Sequence, residues 1–179
     1  MSEPYSFPGE GWAIGPDGMP RRDAARVLLF DGEGRLLLIN AHDAQNPGRS
    51  WWFTVGGGID AGETAREAAV REVREETGLE LDPASLVGPV AVRSSVFDFR
   101  ARHVRQDEEF FVARLDAVPG VFDTTGWTAV ERDFMDGLGW FAPDEIAEFD
   151  VEVFPVELPE VVSWLVDGWD GTVRRLGDL

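Results

Sequence analysis

Three glutamates stand close together at the end of one segment: Glu72, Glu75 and Glu76. At about 100° per residue they fall within an arc of roughly 100° on one face of a helix. Like charges at i,i+3 and i,i+4 spacing repel, so the grouping costs stability unless positive charge meets it. Arg71 and Arg74 supply part of that charge. A divalent cation with oxygen ligands would supply the rest, and hard Mg²⁺ suits carboxylates best. A solvated acidic face is the competing reading of the three glutamates taken alone.

The elements around them are set by composition. Residues 57–79 read GGIDAGETAREAAVREVREETGL, a glycine run, a proline-free helical window and a closing glycine. Glu63 or Thr64 can start the helix, and Gly78 is placed to end it with positive φ. Upstream, residues 26–31 and 35–40 flank Gly32-Glu33-Gly34 and read as a β-hairpin. Residues 41–50 hold Asn46-Pro47-Gly48, a loop signal, and the aromatic, β-branched stretch 50–55 reads as a strand entering the glycines. Downstream, residues 86–99 and 109–115 alternate as strands around a basic interruption at 100–106. Residues 119–136 read as a loop with a short helical piece, followed by a short strand at 139–141. Residues 143–149 and 158–169 read as helices, the second with one apolar face. Strands, a helix, more strands and closing helices predict an α/β protein: an α/β/α sandwich around a mixed β-sheet. Residues 1–20, rich in Pro and Gly, are expected to form an irregular arm that Trp12 could pin, with 21–179 as a single domain.

The glycine-to-glycine stretch resembles the Nudix hydrolase family. Its signature is glycine, five residues, Glu, seven residues, Arg-Glu-apolar, one residue, Glu-Glu, one residue, Gly-apolar. Here those positions are Gly57, Glu63, Arg71, Glu72, Val73, Glu75, Glu76, Gly78 and Leu79, and all fit. A chance match at any one start is below about one in a hundred million at average residue frequencies. One departure is Val55, where relatives carry proline before the glycines. The resemblance implies the sandwich fold and an Mg²⁺- or Mn²⁺-dependent pyrophosphohydrolase acting on a nucleoside diphosphate derivative or related nucleotide. It further implies Glu72, Glu76 and the Gly56 carbonyl as metal ligands, with Glu75 in direct or water-mediated contact. Arg71 would orient the carboxylates, paired with Glu63. Relatives use a general base inside or outside the box; here Glu131, outside it, is the expected base, with Glu108 and Glu109 behind it and Glu75 first in line if the base is in the box. Trp52 (or its neighbour Trp51) and the basic group Arg100, Arg102, His103 and Arg105 are candidates for substrate contact, each weighed against a plain core aromatic or a solvated loop.

Composition narrows the partners. Of 179 residues, 44% are hydrophobic and 28% charged, a globular balance. The absence of cysteine excludes disulfides, thiolate metal sites and a cysteine nucleophile. It also counts against an isomerase of the isopentenyl diphosphate type on the same fold. A net charge of −18 with no lysine argues against duplex nucleic acid, messenger-RNA decapping or an anionic membrane, while leaving a small phosphorylated metabolite or nucleotide open. No secretory signal or membrane-length apolar run is visible, so a cytoplasmic protein is expected; a homodimer is left as an option. A non-hydrolytic Nudix domain that senses a ligand or binds a partner is the alternative, though such domains have typically lost box glutamates that this chain retains.

Overall fold

The fold is built on one mixed sheet with an apolar layer on each face. In a computed structural model that describes residues 11–99, 102–118 and 120–177, the strands are β1 (Ala13–Ile14), β2 (Pro20–Phe30), β3 (Leu36–Asp43), β4 (Asn46–Gly58), β5 (Val87–Phe99), β6 (Arg102–Arg114), β7 (Met135–Phe141), β8 (Glu152–Phe154) and β9 (Arg174–Leu176). The helices are α1 (Ala65–Thr77), α2 (Ala129–Arg132), α3 (Pro143–Ala147) and α4 (Leu158–Leu165). The main path across the sheet is β7-β3-β4-β2-β6-β5-β9, with β1 on β2 and β8 on β4.

Alternation in the central strands assigns the two layers. Ala25, Val27 and Leu29 of β2, with Leu37 and Ile39 of β3 and Phe111 and Ala113 of β6, join Ala68, Ala69 and Val73 of α1 in one core. Their neighbours Leu28 and Phe30, Leu36 and Leu38, and Phe110 and Val112 join Ile146 of α3 and Val161, Val162 and Leu165 of α4 in the other. Strands buried on both sides read as continuous apolar runs, which is why 27–30 and 36–39 show no polar face.

Several sequence expectations change in detail. The hairpin at 26–40 opens after one pair, Phe30 with Leu36. β4 runs beside both strands instead, along β3 from Leu38–Thr54 to Asp43–Asn46 and along β2 from Ala24–Gly58 to Val27–Val55. The loop expected at 41–50 shrinks to a two-residue turn, because β3 and β4 pair almost to its tip. The basic interruption expected at 100–106 is mostly strand: from Arg102 onward the segment pairs with β5, and from Arg105 also with β2. Strand partners, invisible to local propensity, outweigh the charge run. Within 1–20, Ala13 and Ile14 pair with Arg21 and Pro20, and Arg22 lies over the Trp12 ring at 4.6 Å. None of the helices is long and apolar enough to cross a membrane among the described residues.

Candidate active site

The glutamates are positioned by a capped helix. Thr64 caps α1, accepting from the Glu67 N–H, while Glu67 accepts from the Thr64 N–H, which satisfies two otherwise orphaned donors. Gly78 ends α1 in the left-handed region at φ 76°. The glycine turn before the helix is shaped by close approach. A Cβ on Gly57 would stand 2.6 Å from Glu72 Oε1, and one on Gly56, where φ is 130°, would stand 2.1 Å from the Ala25 carbonyl. Only glycine lets the helix acids reach this strand.

Glu72 and Glu76 are 7% and 3% exposed. The Gly56 N–H donates to Glu76 Oε2 at 2.8 Å. Burial pushes the Glu76 carboxyl well above the ordinary carboxylate range, and Glu72 adds to the rise, while the Gly56 N–H and Arg26 pull the other way. Burial also raises Glu72, against Arg71, with Glu131 and Glu75 adding to it. Glu131, from α2, closes the group: one carboxylate oxygen each of Glu72, Glu76 and Glu131 lie within 4.8 Å of one another. Oε2 of Glu131 is anchored by the Thr128 N–H at 2.7 Å and Oγ1–H at 2.8 Å, the capping box of α2.

Arg71 is the hub beside this group. Its Nε and Nη2 reach Glu63 Oε1 and Oε2, both at 2.9 Å. Its Nη1 donates to Glu72 Oε1 at 2.9 Å and Glu75 Oε2 at 3.2 Å, and its Nη2 donates to the Gly58 carbonyl at 2.8 Å. The Glu63 carboxyl is held below its usual range by these bonds, and Arg71 is held more firmly protonated, chiefly by Glu63. Glu75 has a side chain 41% exposed, the most open of the box acids that Arg71 holds. A donor set of three clustered carboxylates, all hard oxygen and two of them buried, fits a divalent cation such as Mg²⁺ or Mn²⁺.

Other expected site residues lie elsewhere. Trp52 packs edge-on against Phe141 at 4.6 Å and beside Phe149, in the layer on the α3 and α4 side of the sheet. Trp51 lies under Arg49. His103 pairs with Asp98 at 2.7 Å with both side chains exposed, and Arg102 begins β6 beside it. Arg105 lines a shallow cavity of about 270 Å³ with Pro16, Asp17, Met19 and Arg21. Arg100 lies outside the described residues. Glu108 is buried between Arg26 at 2.9 Å and Arg93 at 3.2 Å, so its carboxylate is already committed. The Gly56 carbonyl accepts from Arg26 Nη1 at 2.6 Å. Arg26 and Trp127, whose Nε1–H donates to the Glu76 carbonyl, were not among the sequence candidates. Each lies tens of residues from its partner, and no local pattern marks it.

Comparison with known proteins identifies the family. The NUDIX domain model matches residues 20–164. An RNA pyrophosphohydrolase of Erythrobacter litoralis is 31% identical over 154 residues, covering 79% of this chain and 91% of the relative. The nucleoside triphosphatase NudI of Salmonella agona is 29% identical over 126 residues, covering 70% and 85%. The MutT protein of Methanosarcina mazei Go1 shares the fold, with a TM-score of 0.57 at 18% identity over 83% of this chain and 94% of its own. With the complete box folded around a glycine turn, the chain belongs to the NUDIX domain family and is a Nudix hydrolase.

Proposed function

We propose that this chain is an Mg²⁺- or Mn²⁺-dependent pyrophosphohydrolase that cleaves the diphosphate linkage of a nucleoside diphosphate derivative or related nucleotide. The observation that carries this reading is the convergence of the Glu72, Glu76 and Glu131 oxygens within 4.8 Å beside a glycine turn. Those three carboxylates would hold the cation. When bound, it supplies Lewis-acid polarisation of phosphoryl oxygens and lowers the pKa of a coordinated water.

The remaining work falls to the chain. Glycine at 57 makes room for the Glu72 carboxylate against the strand, and glycine at 56 for the Ala25 carbonyl, so the acids lie close to the backbone. Arg71 fixes Glu72 and Glu75 in orientation while Glu63 balances its charge. Glu75 is the base in this reading. Arg71 holds its Oε2, and its Oε1 takes the proton from the attacking water. Water adds to one phosphorus, the bridging P–O bond breaks, and the departing phosphate keeps the electron pair. Glu131 is assigned to binding rather than proton transfer, because its carboxylate lies within 4.8 Å of those of Glu72 and Glu76, a group that Glu75 does not join.

The relatives named as an RNA pyrophosphohydrolase and a nucleoside triphosphatase support triphosphate ends as substrates, and the net charge of −18 favours small nucleotides over long RNA. A cytoplasmic enzyme fits such substrates. The test is a panel of nucleoside triphosphates, nucleoside diphosphate derivatives, dinucleoside polyphosphates and 5′-triphosphorylated oligonucleotides with Mg²⁺, read as phosphate or pyrophosphate release. Turnover of none of them would overturn the reading.

A further inference from the structure

Gly56 has partners on both sides of its backbone. Its N–H donates to Glu76, and its carbonyl accepts from Arg26 Nη1 at 2.6 Å. Arg26 Nη1 also reaches the Thr54 carbonyl at 3.3 Å, and its Nε donates to Glu108 Oε1 at 2.9 Å. Arg26 and Glu108 are 13% and 4% exposed at their side chains. They lie on the sheet face away from α1, in register with the strand positions that bear Phe110 and Ala24.

Charge on that face does not balance locally. Arg93 Nη1 shares Glu108 at 3.2 Å, Gln106 donates to the same carboxylate at 2.8 Å, and Arg22 Nε donates to Gln106 at 2.6 Å. Two arginines therefore share one glutamate, and a third reaches it through Gln106. The missing negative charge lies across the glycine strand: Gly56 joins Arg26, on its carbonyl, to Glu76, on its N–H, and Arg22 lies against Gly58 while Glu72 lies against Gly57. The arginine face is the counter-charge of the acid cluster while no cation is bound.

We infer that Arg26 is a positioning residue that sets the cation affinity of the Glu72–Glu76–Glu131 cluster, by holding the Gly56 carbonyl and by offsetting the cluster's charge from behind. This inference rests on the reading of that cluster as a cation site. A cation arriving at the acids meets the field of Arg26, and the Gly56 carbonyl stays engaged until Arg26 releases it. Glu108 works in the opposite sense, since it neutralises Arg26.

Mn²⁺ binding to the full chain without nucleotide, followed by electron paramagnetic resonance, tests this with opposed signs. Arg26→Gln keeps a donor for the carbonyl and removes the charge, and should tighten Mn²⁺ binding about three- to tenfold. Glu108→Gln keeps the Oε1 acceptor for Arg26 and Gln106, gives up the bond from Arg93 and unmasks Arg26, and should weaken binding by a similar factor. Arg26→Lys retains the charge and should stay within about twofold of wild type. A purely structural role would move the Gln variants in the same direction or leave affinity unchanged, and either result overturns the inference. If Arg26→Gln does not fold, a Glu108→Gln protein with unchanged or tighter binding overturns it alone. Glu72→Gln is the control: if the wild type binds Mn²⁺ and this variant binds it equally, the cation-site reading fails, and the inference with it.

Discussion

Trp127 donates its indole Nε1–H to the main-chain carbonyl of Glu76 at 2.9 Å. That carbonyl is among the last of α1 and has no partner inside the helix. The bond, with the Asp123 N–H on the Thr77 carbonyl at 3.0 Å, ties the segment that carries Glu131 to the helix that carries the other acids. Gly126 permits the contact, since a Cβ there would stand 2.4 Å from the Glu75 carbonyl. Trp127→Phe keeps most of the packing and removes the donor. It should cost about 1 kcal/mol of stability. It should also lower kcat about tenfold or more, because a small displacement of a reacting constellation is expensive. Thermal melts and turnover of the same preparation check this; a normal rate beside a lowered Tm would separate the tether from the chemistry.

Glu72→Gln and Glu76→Gln should each lower kcat at least about a hundredfold, because a lost ligand removes electrostatic stabilisation of the transition state. Without metal the same changes relieve repulsion between buried carboxylates and should raise the melting temperature. Excess EDTA should abolish wild-type turnover and leave the fold intact. Full activity in chelator would refute the cation-dependent mechanism.

Stability should depend on pH in opposite ways with and without metal. Burial raises the folded-state pKa of Glu76 and Glu72 above that of the unfolded chain. Between those values the folded state binds more protons, so stability rises as pH falls through the raised pKa toward the ordinary glutamate range. Glu63 has the opposite shift, and its contribution is lost as pH drops below that ordinary range. Melting curves in EDTA from neutral pH downward should therefore climb before they fall. With saturating Mg²⁺ the climb should vanish, because protons and cation compete for the same oxygens. A Glu72→Gln, Glu76→Gln double variant that keeps the climb would assign it to general charge repulsion instead.

Glu131→Gln and Glu75→Gln separate the roles of the two remaining acids. If Glu131 binds cation, its variant should lose Mn²⁺ affinity and kcat together. Glu75→Gln should lower kcat by a factor in the range of about 10² to 10⁴ with affinity nearly unchanged. The reverse pattern, with affinity lost in Glu75→Gln alone, would exchange the assignments.

The box was legible because its chemistry is local. Glu72 and Glu76 lie one helical turn apart, Thr64 and Gly78 mark the helix ends, and all lie within residues 57–79. The apolar runs at 26–31 and 35–40 were legible as strands, but not their pairing: they read as a hairpin, and β4 and β6 are the partners that β2 takes instead. What stayed hidden depends on partners remote in sequence. Arg102 to Gln106 read as a charged interruption until β5 and β2 are seen to pair with it. Trp52 read as a core aromatic ahead of a stacking surface, and Phe141 and Phe149 are the partners that its own strand could not name. Arg26 offers no signal at all within its own strand, since its meaning comes from Glu108 and the Gly56 carbonyl.

β2 has β4 on one edge and β6 on the other, with an apolar layer on each face. Its central amides can exchange with deuterium only when the whole domain opens, whereas α2, which has no buried residue, opens in a smaller unit once its Trp127 tether to α1 lets go. A bound cation should therefore slow both sets of amides by different amounts. The slowing at Val27 to Leu29 would report the full linkage free energy, and the slowing around Glu131 only the part spent on closing that segment over the glutamates.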